Sequence, residues 1–172
     1  MNRCMIVVLA LSPLAMAQTD GGKNALSGEI KQAYTSVKNN LVKAAESMPE
    51  EDYSYKPSAD IRSFGALVAH IADANTFYCS SAKGAMKRPN ASSKTSKADI
   101  VAALKAAFAD DCDSLYDSLT DAAANEMVKI RNGEMTKMGA AIRNLAHDNE
   151  EYGYLAVYLR LKGVVPPSSA GK

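Results

Sequence analysis

Leu26, Ile30, Ala33, Val37, Leu41, Ala44 and Met48 recur at steps of three and four, and Pro49 closes the run. A 3.6-residue turn puts these positions on one face of a single long helix, and that face must be buried against other elements. The signal returns three times. Ser63 is an N-cap for a second helix that carries Leu67, His70, Ile71, Ala74, Phe77 and Tyr78 and ends before Gly84. Ser96-Lys97-Ala98-Asp99 has the form of a capping box, with Asp where Glu is usual, and Leu104, Ala107, Phe108, Cys112, Leu115 and Leu119 follow. Thr136 caps a fourth helix that reaches about Lys162, Gly163 suits its C-terminal cap, and Pro166-Pro167 forbid continuation. Between these helices, residues 50–60 and 84–95 read as loops. Residues 120–135 read as irregular, with Asn132-Gly133 as a turn. No useful strand alternation and no internal repeat is found. The expectation is an all-α fold, a four-helix bundle over residues 25–168 with a tail at 169–172.

The 172 residues suit one domain, and 47% hydrophobic content supplies its core. Lys and Arg number 20 against 19 Asp and Glu, and no basic stripe is interleaved with aromatics, so no nucleic acid partner is expected. The N-terminus has the form of an export signal. Arg3 precedes the apolar residues 5–11, and Ala15-Met16-Ala17 matches a small-residue cleavage site. Residues 1–17 are therefore read as a signal peptide and 18–24 as a flexible lead-in, giving a periplasmic or secreted mature chain. The apolar run is short for a membrane span, and no other segment is long enough. Cleavage removes Cys4 and leaves Cys79 and Cys112. An oxidising compartment favours a disulfide between them; the other reading is two buried thiols that never meet.

His147 and Glu151 stand four residues apart, about 40° apart on one helix face, so both can reach one ion. Imidazole and carboxylate are ligands for zinc and similar divalent metals, and a catalytic site takes three protein ligands with one position open. His70, the only other histidine, would come from the second helix, as bundle metal sites are often built. The competing reading is two ordinary polar histidines. His147 shares its helix line with Arg143, Asn144, Tyr154 and Tyr158, a mixed polar and aromatic line that suits a cleft wall. Asp73, one turn beyond His70, can orient a ligating imidazole or be a solvated charge. Glu150 is an alternative ligand to Glu151. Tyr154 and Tyr158 can donate to a substrate or simply pack with their hydroxyls at a rim.

Met48-Pro49-Glu50-Glu51-Asp52-Tyr53, Arg62-Ser63-Phe64-Gly65 and Leu67-Val68-Ala69-His70-Ile71-Ala72-Asp73 resemble the DinB family. So do His147-Asp148-Asn149, Tyr152-Gly153, Tyr158-Leu159-Arg160 and the closing Gly163 and Pro166-Pro167. Phe77-Tyr78-Cys79 and Asp111-Cys112-Asp113 are similar to an exported branch with cysteines at both places. The resemblance implies an up-down-down-up bundle, often a homodimer, with a divalent metal near one end. It also implies three histidine ligands, one on the second helix and two on the fourth. His70 and His147 match the first two. The third position is Glu151, and position 154, often Gln in the family, is Tyr154. Two imidazoles and a carboxylate still accept zinc or nickel, or manganese or iron, with weaker Lewis acidity. Alternatively the site has decayed. Relatives include thiol S-transferases, isomerases and metal-dependent hydrolases. Reduced thiol cosubstrates are cytosolic, so export favours a hydrolase. The alternative is a non-catalytic module that holds a small ligand or a metal. No Ser/His/Asp set and no general base beyond the ligand carboxylates is visible.

Overall fold

The computed structural model describes residues 24–130 and 133–171, so the expected signal peptide lies outside the described residues. Helix α1 spans Ala25–Ser47 and α2 spans Phe64–Ala82. The third rod is α3 (Lys97–Ala106), a π-helical stretch Ala107–Cys112 and α4 (Asp113–Asp117) in direct succession. Helix α5 spans Lys137–Leu161. No helix among the described residues is long and apolar enough to cross a membrane.

The helix ends follow from local chemistry. Ser63 Oγ accepts from the Ala66 amide at 3.2 Å, Ser96 Oγ from Asp99 at 3.1 Å and Thr136 Oγ1 from Gly139 at 3.0 Å. Each satisfies an amide that the first helical turn leaves unpaired. At the end of α5, Gly163 takes φ 73°, and the Val164 amide reaches back to the Leu159 carbonyl at 2.9 Å. That is a Schellman closure, which needs a left-handed residue and so favours glycine. The head of α1 is capped from a distance. The Asp121 carboxylate accepts from the Leu26 and Ser27 amides at 3.1 and 2.6 Å. These bonds hold its pKa below the usual value.

Two features depart from the sequence reading. Residues 120–135 are not irregular throughout. Strands β1 (Met127–Ile130) and β2 (Gly133–Thr136) form an antiparallel hairpin with Val128 opposite Met135. Four alternating residues are too few to stand out as a strand; the half-buried Val128 and Met135 gain their meaning by packing on the bundle. The third helix is interrupted by its π-helical stretch, which carries Cys112.

Side-chain pairs give the helix directions. Tyr34 stacks on Tyr116 with centroids 3.7 Å apart, and Glu46 pairs with Lys105 at 2.5 Å, so α1 runs antiparallel to the third rod. Cys79 is disulfide-bonded to Cys112, and Gly65 lies against Ile100, so α2 runs parallel to that rod. Asn75 meets Asp148 and His70 meets Glu151, so α5 runs antiparallel to α2. The result is an up-down-down-up four-helix bundle. Phe64, Val68 and Ile71 meet Leu104, Leu115, Leu155 and Leu159 in its core, all fully or almost fully buried.

Gly65 has a packing reason. A Cβ there would lie 2.9 Å from Tyr53 Cδ1 and 3.2 Å from the Tyr53 carbonyl oxygen. The Tyr53 hydroxyl is tied to the Ala45 carbonyl at 2.5 Å, so the ring has little freedom to move away. Gly65→Ala is expected to destabilise the fold by about 1–3 kcal/mol through overpacking. Urea unfolding measures this, and an unchanged midpoint would contradict it.

Candidate metal centre

The antiparallel crossing of α2 and α5 brings three sequence-predicted residues together. Glu151 Oε1 lies 3.5 Å from His70 Nε2 and 3.5 Å from His147 Nε2. The three donor atoms all fall within 4.8 Å of one another. Ligands about 2.0–2.1 Å from a tetrahedral ion sit roughly 3.3 Å apart, so the two imidazole-to-carboxylate spacings suit a shared cation. The side chains are graded in depth: His70 is 33% exposed, His147 18% and Glu151 9%. One side of the cluster therefore faces a groove while the carboxylate lies at its floor.

The surroundings shift the two histidines in opposite directions. Burial lowers the His70 pKa, with Arg62 and His147 adding to the effect, which keeps the ring neutral as a metal ligand must be. His147 is pushed the other way, chiefly by Asp148 beside it and then by Glu151. Burial raises both Glu151 and Asp148. Glu151 Oε2 and Asp148 Oδ2 are buried with no hydrogen-bond partner among the described residues. A buried carboxylate oxygen without a partner is costly, and a cation shared by His70, His147 and Glu151 would offset that cost at Glu151. The donor set and its surroundings thus fit a divalent metal.

Asp148 is the functional neighbour that sequence reasoning missed. Its Oδ1 lies 3.8 Å from His147 Nδ1, an ion-pair distance rather than a hydrogen bond, on the ring edge opposite the donor nitrogen. Asn75 Nδ2 donates to the same oxygen at 2.7 Å and to the Ile71 carbonyl at 3.0 Å. Asn144 Nδ2 donates to Asn75 Oδ1 at 3.0 Å, and the Tyr116 hydroxyl sits 2.9 Å from Asn144 Oδ1. Buried amides thus fix the Asp148 carboxylate behind the histidine. The adjacency of Asp148 to His147 was the available signal; that its face of the helix is buried was not.

The other expected residues lie elsewhere. Asp73 does not orient His70: its carboxylate accepts from the Ala91 amide at 2.6 Å and the Ser92 amide at 3.0 Å, and from the Ser92 hydroxyl. It closes the 3-10 turn Ala91–Ser93 of the returning loop. Glu150 is not drawn into the cluster. It accepts from the Tyr154 hydroxyl at 2.7 Å on the exposed side of α5, which also takes Tyr154 out of the cleft. Tyr158 is buried, and its hydroxyl donates to the Arg62 carbonyl at 2.7 Å. Cys79 and Cys112 form the disulfide.

Two open grooves meet at His70. One, about 620 Å³, is bordered by Phe77, Tyr78, Met86, Pro89 and both histidines. The other, about 700 Å³, is bordered by Glu50, Tyr53, Arg62 and Ser92. The Tyr78 and His147 rings meet edge to face at 5.6 Å, and the His70 and His147 rings at 5.4 Å, which holds the imidazoles in place.

Comparison with known proteins agrees with this architecture. No curated protein matches the chain. A DinB-like protein from Bacillus cereus superposes with a TM-score of 0.70 at 17% identity, over 81% of this chain and 95% of that one. A DinB-like protein from Bacillus subtilis gives 0.63 at 22% identity, over 78% and 92%. At these identities the two structures speak for the fold. The sequence pattern of the DinB superfamily matches residues 33–155, a stretch that includes His70, His147 and Glu151, and the chain belongs to that superfamily.

Proposed function

We propose that this is an exported DinB-superfamily protein that holds one divalent ion, zinc or nickel before manganese or iron, on His70, His147 and Glu151. We read it as a metal-dependent hydrolase. The observation that carries this is Glu151 Oε1 at 3.5 Å from both imidazole Nε2 atoms. Two imidazoles and one carboxylate are a ligand set that catalytic zinc sites use with one position left open. A bound ion supplies Lewis acidity, polarising a carbonyl or phosphoryl oxygen and acidifying a coordinated water. The protein's own share is positional. Asp148 sets the His147 ring, and Phe77, Tyr78, Met86 and Pro89 offer an apolar wall for the substrate beside the histidines. The Cys79–Cys112 bridge supports export, since such bonds persist in oxidising compartments.

Metal-loaded protein should turn over at least one member of an ester, amide and phosphoester panel. Glu151→His should keep the metal and raise the rate, because a neutral donor leaves more charge on the ion. Tight metal binding with no turnover across the whole panel would replace the hydrolase with a non-catalytic binding module. Full metal occupancy in Glu151→Gln would remove the carboxylate from the ligand set.

A further inference from the structure

Two grooves of different character meet at His70, one of about 620 Å³ and one of about 700 Å³. Both volumes are ordinary for small-molecule sites, which run to roughly 300–1,000 Å³. The first groove carries the apolar wall of Phe77, Tyr78, Met86 and Pro89. Lys87 and Arg88 border it at the loop, and Lys87 is paired with Asp111 at 2.6 Å. The second groove carries Arg62 and Lys94 among hydroxyl side chains. A ligand lying across both would have an apolar end, a polar end and its middle beside the candidate metal ligands.

Of the cations that border the grooves, Arg62 is the one whose charge is felt at both His70 and Glu151, although burial is the main influence on each. Arg62 is exposed and solvated in the free protein, so it lacks no partner; what matters is where its charge is held. Its carbonyl accepts from the buried Tyr158 hydroxyl at 2.7 Å, which ties this backbone to α5 just before α2 begins. Glu50 and Glu51 border the same groove from the 3-10 turn Glu50–Asp52, and neither is a charge felt at His70 or Glu151. The groove is thus positive at its inner end and negative at the turn.

We propose that the two grooves together take an N-acyl amino acid, with its acyl group against Phe77, Tyr78, Met86 and Pro89, its amide beside His70 and its carboxylate on Arg62. A guanidinium is a planar fork of donors that matches a carboxylate. A phosphoester carries its charge at the reacting centre, and a neutral ester carries none, so each leaves Arg62 unused. The chemistry rests on the hydrolase reading: the hydroxyl of water goes to the acyl carbon, the C–N bond breaks, and hydrogen goes to the nitrogen. The products are a carboxylic acid and a free amino acid, with no redox partner. Binding needs only the grooves.

The test is calorimetric titration of the full-length protein, metal-loaded and chelator-treated, with N-benzoylglycine, N-benzoylglycinamide and N-acetylglycine. N-benzoylglycine should bind about tenfold more tightly than its amide, the difference expected of a charge-assisted pair. It should exceed N-acetylglycine by about tenfold, because it buries a phenyl group in place of a methyl. Arg62→Gln should bring the acid down to the level of its amide, and Arg62→Lys should restore part of the preference. Equal affinity for acid and amide, equal affinity for the benzoyl and acetyl compounds, or indifference to Arg62→Gln would overturn the proposal. So would an acid preference that vanishes when metal is removed, since that places the carboxylate on the metal. Benzoate release from the metal-loaded protein separates the two ideas. Arg62-dependent binding without release keeps this ligand and sinks the hydrolase. Equal release from acid and amide, in wild type and in Arg62→Gln, keeps the hydrolase and sinks this ligand.

Discussion

His147→Ala will abolish stoichiometric metal binding while leaving the bundle folded. The wild-type protein, loaded and desalted, should carry one divalent ion per chain by mass spectrometry, and the variant almost none. Removing a group that merely orients a ligand costs about 10–100-fold in affinity, so deleting a ligand should cost at least the upper end of that range. His147 is the choice because it is the hinge of the cluster: Glu151 faces it on one edge and Asp148 on the other. Folding should survive because His147 is part-exposed, whereas the neighbouring core positions Leu155 and Leu159 are fully buried. Helical circular dichroism unchanged from wild type, together with lost metal, is the expected pair of results. Metal content equal in His147→Ala, His70→Ala and wild type would end the metal hypothesis. The same loss should follow acidification, and for a stated reason. Asp148 and Glu151 raise the His147 pKa, so protons compete for its ring at a higher pH than for an ordinary histidine. Metal affinity should therefore fall as pH drops through that raised value.

What could be read from the chain alone divides along a physical line. Caps such as Ser63, Ser96, Thr136 and Gly163 are local chemistry, decided within a turn of the chain, and each lies at a helix end in the structure. The pair His147 and Glu151 was legible because i and i+4 share a helix face whatever surrounds them. His70 follows only by elimination, as the one other histidine and on a second bundle helix, and the family resemblance then matches it to a ligand position; nothing local ties α2 to α5. Asp148 shows the limit. One residue from His147 is about 100° around the helix, and only the packing of α2 makes that face interior and puts Asn75 there to hold it. Asp73 failed for the mirror reason. Its position one turn from His70 was right, but the loop around Ala91 folds back and takes both carboxylate oxygens. The Val128 and Met135 hairpin failed because a four-residue alternation carries too little pattern to separate from a loop.

Opening the Cys79–Cys112 bridge should cost stability rather than structure. The bond closes a loop with a sequence separation of 33 residues, and in the chain-entropy account a loop of that length is worth roughly 3–4 kcal/mol. For a domain of this size that lowers the thermal midpoint by on the order of 10 °C. The native state itself has an arrangement ready for free thiols. Asn144 Oδ1 lies 3.4 Å from Cys79 Sγ, and Asn75 Oδ1 lies 3.3 Å from Cys112 Sγ. Each amide oxygen can accept from a thiol, so reduction leaves no new unsatisfied donor in the core. The same two amides anchor Asp148 behind His147. The loss should therefore act mainly through a freer unfolded chain, and the metal site should survive it. Urea unfolding of the oxidised protein and of Cys79→Ser/Cys112→Ser is expected to show this difference in stability with equal metal content in the two folded forms. Reduction should also add two hydrogens to the intact mass. Coincident unfolding curves, or two thiols freely alkylated in the oxidised folded protein, would refute the bridge. Metal lost along with the disulfide would instead show that Asn75 transmits strain from the sulfurs to Asp148, and that the polar chain holds the site as firmly as the helices do.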